Sequence, residues 1–347
     1  MRIVVLGGGL SPERDVSKKS ASLIANALLS KGHEVALIDL YDGIESDVSV
    51  KELFRSGTDD LFSYDIPEEE PDLQRVIREH GGRREWLGPR VIEICKDADC
   101  VFLGLHGSNG ENGKMQAVLE AYGIRYTGCG YTGCVIAMDK GLSKAIIAQA
   151  GYKTSEWFTL RGADITFEQV VEKVGLPFVV KPIGCGSSCG VSIVKSKDEF
   201  SSAMSYADKY EHHIIIEKYI KGREITVSIL DGKALPITEI IPREGFYDYK
   251  NKYQAGLTTH VCPAEFTEEE TAKAKKIAEE EFHLLRMTAY GRIDMIYDGT
   301  DFWFIEANNL PGMTNTSLLP EAAAQSGIAY EDLVERIALA AGRRNVE

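Results

Sequence analysis

An α/β fold with a parallel sheet at its N-terminus is predicted by three features of the sequence. The first is Arg2–Leu6, a β-branched apolar run that stops at Gly7-Gly8-Gly9 and is followed by a helical pattern to Gly32 and an apolar strand over Glu34–Leu40. Strand, glycine turn, helix and strand make a right-handed βαβ unit whose helix N-terminus faces the turn. The second is another apolar strand, Ala98–Leu105, which ends in His106-Gly107 and leads into SNGENGKMQAVLEAYG, a helix with Glu111 ahead of it and Gly123 at its end. The third is the continued alternation of apolar strands and periodic helices to the C-terminus, without internal repeats.

The 347 residues exceed one typical domain, and 44% hydrophobic content is enough to build two or three cores. A net charge of −14 argues against a nucleic-acid surface or a basic membrane patch. A polyphosphate bound by so acidic a chain must meet positive charge supplied locally, by a few placed Lys or Arg, by backbone N–H groups and by metal. The opening MRIVVLGGG is too short an apolar run for a signal peptide, and no stretch approaches a membrane span, so a cytoplasmic location is expected. The 7 cysteines are odd in number and lack zinc spacing, which predicts free thiols. Cys185 and Cys189 are spaced so that a disulfide is feasible, but a reducing compartment opposes it.

The N-terminal turn, GGGLSPER, lacks the third glycine of a dinucleotide fingerprint, which argues against an NAD site. Glu13, Ser17 and Ser20 stand instead at the turn and first helical coils, where polar side chains can face a small zwitterion. Ligands in open α/β sheets gather at the C-terminal edge of the strands, where His106 stands, and binding and packing roles both fit it. Residues Tyr41–Pro89 are acidic and proline-broken, and read as a mostly solvated insertion with one or two helices near Pro71–His80.

A second domain starts near Cys129. Met138-Asp139-Lys140 opens a helix, a strand follows at Trp157–Leu160, and a further strand carries Lys181 beside Phe178, Val179 and Val180. The loop after it, with Gly184, Gly186, Ser187, Ser188 and Gly190, returns to a strand at Val191–Val194. Packed glycines and serines expose consecutive N–H groups and hydroxyls that can close over phosphates. A flexible hairpin tip has the same composition, and it is the amine on an apolar strand that points to an anionic partner. The segment HHIIIEKYIKGREITVSILDG reads as another strand, whose Glu217–Ile220 can present an edge to an adenine base while Glu224 reaches a ribose.

Arg243–His260, with three tyrosines and two lysines and no periodicity, is expected to be a lid. Helices are expected over Thr267–Leu285, from near Leu318 after Ser317, and over Tyr330–Gly342. The Ser317 hydroxyl and the N–H groups that follow it make a carboxylate site.

Gly291–Thr314 reads as two short strands joined at Asp298-Gly299, with Arg292 and Asp294 on one face of the first and Glu306 and Asn308 on one face of the second. A loop centred on Thr300 sets Asp294 opposite Glu306 and Arg292 opposite Asn308, whereas a loop of even length makes those pairs diagonal. Two carboxylates and an amide oxygen on one patch suit Mg²⁺. The competing reading, two solvated acids on an ordinary hairpin, has the apolar neighbours Ile293, Met295, Phe304 and Ile305 against it.

Taken in order, SPERDVS, HGSNGENG, AMDK, VVKPIGCGSSCGV, FYDYKNKY, GRIDMIYD and EANNLPGMTNTSLLP resemble the ATP-grasp superfamily, and within it the D-alanine-D-alanine ligase family, over nearly the whole chain except Tyr41–Pro89. The resemblance implies an ATP-grasp fold of three domains. These are an N-terminal parallel α/β (pre-ATP-grasp) substrate domain over 1–128 with an insertion at about 41–90, a central subdomain over 129–217, and a C-terminal subdomain over 218–347 with the metal and oxyanion site. It implies ATP-dependent ligation of two D-alanines through an acyl phosphate, for peptidoglycan precursor synthesis, with D-alanine-D-serine ligation as the alternative.

By the same resemblance Lys140 and Lys181 hold ATP phosphates, Lys252 lies near the γ-phosphate, Glu217, Lys218, Tyr219 and Ile220 line the adenine, and Glu224 takes the ribose. Asp294, Glu306 and Asn308 hold two Mg²⁺, for which Mn²⁺ can substitute. Glu13 receives the ammonium of the first D-alanine, tied to Ser187 and Tyr253, with His106 and Glu111 nearby. Ser317 and the Leu318 amide bind the second carboxylate, and Arg292 with the Gly312 N–H holds the oxyanion. A homodimer is implied, with no nucleic-acid or membrane partner. The chain departs from the family's pattern at Cys185, at Asn309 and in GENG.

Overall fold

The computed structural model describes residues 1–67, 69–162, 164–186, 188–242 and 258–342. The chain divides into two units, one comprising Met1–Cys134, Thr288–Gly291 and Asn309–Glu347, the other Val135–Met287 and Arg292–Asn308.

In the first unit, β1 (Arg2–Gly7), α1 (Arg14–Ser30) and β2 (Glu34–Asp39) form the expected βαβ unit, and β3 (Cys100–Leu103) adds to the other side of β1. The sheet order is β2-β1-β3, all parallel, with Ile3 beside both Val35 and Cys100. Parallel strands covered on both faces need unbroken apolar runs, and Ile3, Val4, Val5 and Leu6 are all fully buried. Gly7 lets α1 lie directly on the sheet, because a β-carbon there would come within 2.5 Å of the Ala21 Cβ.

The segment after β2 holds α2 (Leu73–Glu79), within the range expected of it, and a 3-10 turn at Val50–Leu53. It is fastened to α1: Arg14 donates to both oxygens of Asp42 at 2.8 Å, and Asn26 and Phe62 exchange two hydrogen bonds of 2.8 and 2.9 Å. A helix that the sequence reading missed, α3 (Val91–Lys96), precedes β3. After β3 the expected single helix is split into α4 (Ser108–Glu111) and α5 (Lys114–Ala121) at Gly113, whose φ of 86° no helix interior holds. The chain passes into the second unit within α6 (Tyr131–Met138), also missed.

The second unit contains two sheets. One has the order β4-β7-β5-β6, formed by β4 (Trp157–Arg161), β5 (Phe178–Pro182), β6 (Ser192–Val194) and β7 (His213–Lys218), all antiparallel neighbours. Helices α8 (Phe167–Val174) and α9 (Lys197–Tyr210) pack on it around Phe178, Val180 and Ile216. Between α6 and β4 runs α7 (Lys140–Gln149), capped by Asp139, whose carboxylate accepts from Leu142 N at 2.9 Å.

The other sheet is β10-β9-β8-β11-β12, made of β8 (Arg223–Leu230), β9 (Lys233–Pro242), β10 (Thr258–Val261), β11 (Tyr290–Tyr297) and β12 (Phe302–Asn308). It is covered by α10 (Glu268–Leu284), which packs on β8 and β9. The reading of His212–Gly232 as one strand is therefore corrected. Strands β7 and β8 belong to different sheets and break at Gly222, where a β-carbon would meet the Tyr297 carbonyl at 2.2 Å. The far end of the expected lid is also strand: Thr258 to His260 pair with β9, while 243–257 lie outside the described residues. The last helices among the described residues, in the first unit, are α11 (Leu318–Gln325) and α12 (Tyr330–Gly342), the latter against α1 and β3. Among the described residues no helix is long and apolar enough to cross a membrane.

Candidate active site

In the second unit the hairpin β11–β12 has the register on which the metal reading depends, with Asp294 opposite Glu306 and Arg292 opposite Asn308. The cause differs from the one expected. Tyr297 pairs with Phe302, so the loop has even length, and a bulge after Asp294 brings the polar pairs face to face. Asp294 is held from one side: Thr226 donates to its Oδ1 at 2.5 Å, and Arg292 donates to Oδ2 at 3.0 Å and to Thr226 at 3.1 Å. The opposite strand offers Glu306 and, two residues on, Asn308. Two carboxylates and an amide oxygen on one face form a hard-oxygen donor set of the kind Mg²⁺ takes.

Lysines approach this face from two directions. Lys140, at the start of α7, reaches Glu306 at 3.4 Å and donates to the Cys185 carbonyl at 2.8 Å. Lys181 on β5 is buried, lies 2.5 Å from Glu217, and is near enough to Glu306 and Glu224 for both to act on its charge. The third lysine, Lys144, was not anticipated. Fully buried one helical turn after Lys140, it donates to Thr154 at 2.6 Å and to Ser155 at 3.0 Å and lies 2.7 Å from Glu217. Thr154 in turn donates to the Phe304 carbonyl and Ser155 donates to Glu217, each at 3.0 Å. Both hydroxyls therefore accept from Lys144, as its ammonium form requires.

Burial alone would push the Glu217 carboxyl up, but the Lys144 and Lys181 ammoniums outweigh it and hold Glu217 well below the usual carboxylate range. Burial draws Lys181 down, and Glu217 and Glu306 more than offset this, so Lys181 stays a cation. The neighbouring loop is anchored where it leaves β5, by Gly184 N donating to Glu211 at 2.7 Å. Of the expected base-lining segment, Lys218 N donates to the Glu156 carbonyl at 2.9 Å and Tyr219 N to the Pro177 carbonyl at 3.1 Å. Those two amides are spent on the fold. Ile220 follows β7 and is half-buried.

The first unit holds a separate polar cluster. The His106 ring is buried and its Nε2 is 2.9 Å from the Ser20 hydroxyl, while its carbonyl accepts from Ser11 Oγ at 2.8 Å. Ser11 Oγ also accepts from Glu13 N at 3.2 Å. Burial pushes the imidazole below its ordinary value, against an opposing pull from Glu13. Gly107 has φ +66° and sits against Glu13, since a β-carbon at that position would come within 2.7 Å of Glu13 Oε2. Glu111 turns back to accept from Gly107 N at 2.9 Å, and its carbonyl accepts from the Asn309 amide at 3.0 Å.

Gly312 closes the cluster: a β-carbon there would meet Ser317 Oγ at 2.7 Å and the His106 ring at 3.9 Å. Ser317 is the N-cap of α11, yet its hydroxyl accepts from Thr314 N at 3.0 Å, outside the helix. The Leu318 and Leu319 amides therefore have no side-chain cap from Ser317, while Glu321 N donates to the Ser317 carbonyl at 3.1 Å. Ser17, grouped with Glu13 and Ser20 in the sequence reading, is fully buried and ties Gly8 N to the Gly104 carbonyl. It serves the turn. Ser187, Lys252 and Tyr253 lie outside the described residues.

Fold and donor groups together define an ATP-grasp class of protein. The chain is similar over 99% of its length to the D-alanine–D-alanine ligase of Bacillus anthracis complexed with ATP, with a TM-score of 0.75, 31% identity and 97% of that chain covered. It matches the Coxiella burnetii D-alanine-D-alanine ligase with the same TM-score of 0.75, at 25% identity, covering 99% of this chain and 94% of that one. The model of the D-ala D-ala ligase N-terminus matches residues 2–129, and that of the C-terminus matches 146–338. The D-alanine–D-alanine ligase of Pediococcus pentosaceus is 41% identical over 345 residues, which is 98% of this chain and 97% of the relative. That of Geobacter sulfurreducens is 38% identical over 342 residues, 98% of this chain and 94% of the relative. The chain belongs to the D-alanine–D-alanine ligase family.

Proposed function

We propose that this protein joins two D-alanine molecules to D-alanyl-D-alanine, using ATP and passing through an acyl phosphate, for peptidoglycan precursor synthesis. The observation that carries the chemistry is the placement of Lys140 within 3.4 Å of Glu306, opposite Asp294 on the hairpin. A carboxylate is a poor nucleophile toward a polyanionic nucleotide, so positive charge must be gathered at the γ-phosphate before attack. Lys140 and Lys181 supply that charge from the protein, together with Lys252. Asp294, Glu306 and Asn308 would hold two Mg²⁺, whose contribution when bound is to neutralise phosphate charge. Lys218, Tyr219 and Ile220 take the adenine together with Glu217, and Glu224 takes the ribose.

Glu13 receives the ammonium of the first D-alanine with support from Ser187 and Tyr253, and His106 and Glu111 shape its surroundings. The first carboxylate attacks the γ-phosphorus, ADP leaves, and an acyl phosphate remains. Ser317 and the Leu318 amide hold the second carboxylate, and the second amine, once deprotonated, attacks the acyl carbon. The oxyanion is stabilised by Arg292 and the Gly312 N–H, and phosphate departs. Exclusion of water from the acyl phosphate falls to the Gly184–Gly190 loop and to 246–253, the latter outside the described residues.

The same reading assigns the chain to the cytoplasm as a homodimer and divides it at 128 and 217. The test is a phosphate-release assay with D-alanine as first substrate and D-alanine, D-serine or D-lactate as second. Release with D-alanine pairs is expected. Absence of release with every pair would end this reading, and release only with D-serine would move it to a D-alanine-D-serine ligase.

A further inference from the structure

Lys144 has no place in the chemistry above, yet its burial and bonding tie it to a residue that does. Glu217 carries two cations, with Lys181 on Oε1 at 2.5 Å and Lys144 on Oε2 at 2.7 Å. The two are not equivalent. Lys144 is walled in, with Thr154, Ser155 and Glu217 using all three of its donors. Lys181 has Glu217 as its close partner and feels Glu306 and Glu224 beyond it. A nucleotide phosphate that draws Lys181 away from Glu217 would strand a buried carboxylate, which is strongly unfavourable when nothing else compensates it.

We infer that Lys144 is a positioning residue for ATP: a fixed counter-ion for Glu217 that lets Lys181 exchange Glu217 for a nucleotide phosphate. The inference rests on the proposed role of Lys181. Glu217 is then a resting partner that parks the Lys181 ammonium. Three groups with a net charge of +1 make a buried cluster that takes an anion, with Lys144 as the member that stays in place. Ser155 Oγ, donating to the same Glu217 oxygen that Lys144 holds, fixes that side of the carboxylate.

The test is steady-state kinetics of the full-length enzyme with ATP and D-alanine varied independently. For Lys144→Met the KM for ATP is expected to rise at least about tenfold, because Glu217 then competes for Lys181 alone. The KM values for D-alanine should hold within about twofold, a split that a general loss of structure would not produce. Adding Glu217→Gln to Lys144→Met removes the stranded charge, and the KM for ATP should return to that of Glu217→Gln alone.

An unmoved KM for ATP in Lys144→Met, a parallel rise in both KM values, or a double variant no better than Lys144→Met overturns the inference. Should Lys144→Met fail to fold, Glu217→Gln and the double variant carry the test. Their KM values for ATP should agree within about twofold, and a tenfold gap overturns the inference. A wild-type enzyme without D-alanine-dependent phosphate release would refute the functional reading instead. An active wild type with an unmoved Lys144→Met refutes this inference alone.

Discussion

The lysine cluster of the second unit is held by charge against charge, with Lys144 and Lys181 on Glu217 and Lys140 on Glu306. The cluster around His106 in the first unit is joined by hydroxyls and amides, with Ser20 on the imidazole and Ser11 bridging to Glu13. The difference follows from what each is proposed to bind. A polyphosphate needs several cations kept charged in a dry setting, and buried carboxylates keep them so until the ligand takes over. A zwitterionic amino acid needs one carboxylate and neutral donors, since each further charge would repel one of its ends.

The sharpest way to break this comparison is to chelate the proposed metal or to remove a cation from the second unit. Chelation with EDTA is expected to abolish phosphate release and added Mg²⁺ to restore it, and unaffected turnover would contradict the assignment of Asp294, Glu306 and Asn308. Lys181→Met should lower turnover by about 10²–10³-fold at saturating D-alanine, measured as ADP formation. A defect confined to D-alanine affinity would exchange the roles of the two clusters. Glu13→Gln should do the reverse, raising the KM for the first D-alanine by about ten- to a hundredfold with the KM for ATP unmoved.

Smaller effects concern protonation. Burial holds His106 neutral below the ordinary range, so the unfolded chain takes up a proton at this site before the folded one does. The stability tied to neutral His106 is present above about pH 6.5 and is lost as pH falls through the lower folded value. The Tm difference between wild type and His106→Asn should therefore narrow from pH 7 to pH 5, and a widening would place the imidazolium in the native state.

Glu281 on α10 is a contrast within the second unit, fully buried with neither carboxylate oxygen hydrogen-bonded to any described residue. Burial raises its carboxyl well above the usual value, so its contribution is intact below the unfolded value and is lost as pH climbs toward the folded one. Glu281→Gln is expected to gain about 1–2 kcal/mol at pH 8 in denaturant unfolding, with no gain at pH 4.

Much of this was legible in the residues, though not always for the reason given. Spacing alone put Asp294 with Glu306, but the pairing arises from an even loop corrected by a bulge, a backbone irregularity that no side-chain pattern announces. Lys144 went unnoticed because a lysine on an amphipathic helix is ordinarily a solvated one. Its i,i+4 relation to Lys140 was the available signal, since it sets both amines on one face. The break between β7 and β8 was marked by Lys221-Gly222 inside an apolar run, where only glycine tolerates the nearby Tyr297 carbonyl. Ser17 was misjudged because a hydroxyl that satisfies a glycine turn and one that faces a ligand look alike in sequence.

The central claim is that the first D-alanine is activated as an acyl phosphate before the peptide bond forms. It is tested most directly by incubating the enzyme with ATP and D-alanine carrying ¹⁸O in both carboxylate oxygens, then reading the products by mass spectrometry. One labelled oxygen in the released phosphate and one in the new peptide carbonyl is the result this account requires. Phosphate free of label, with dipeptide still formed, would contradict it.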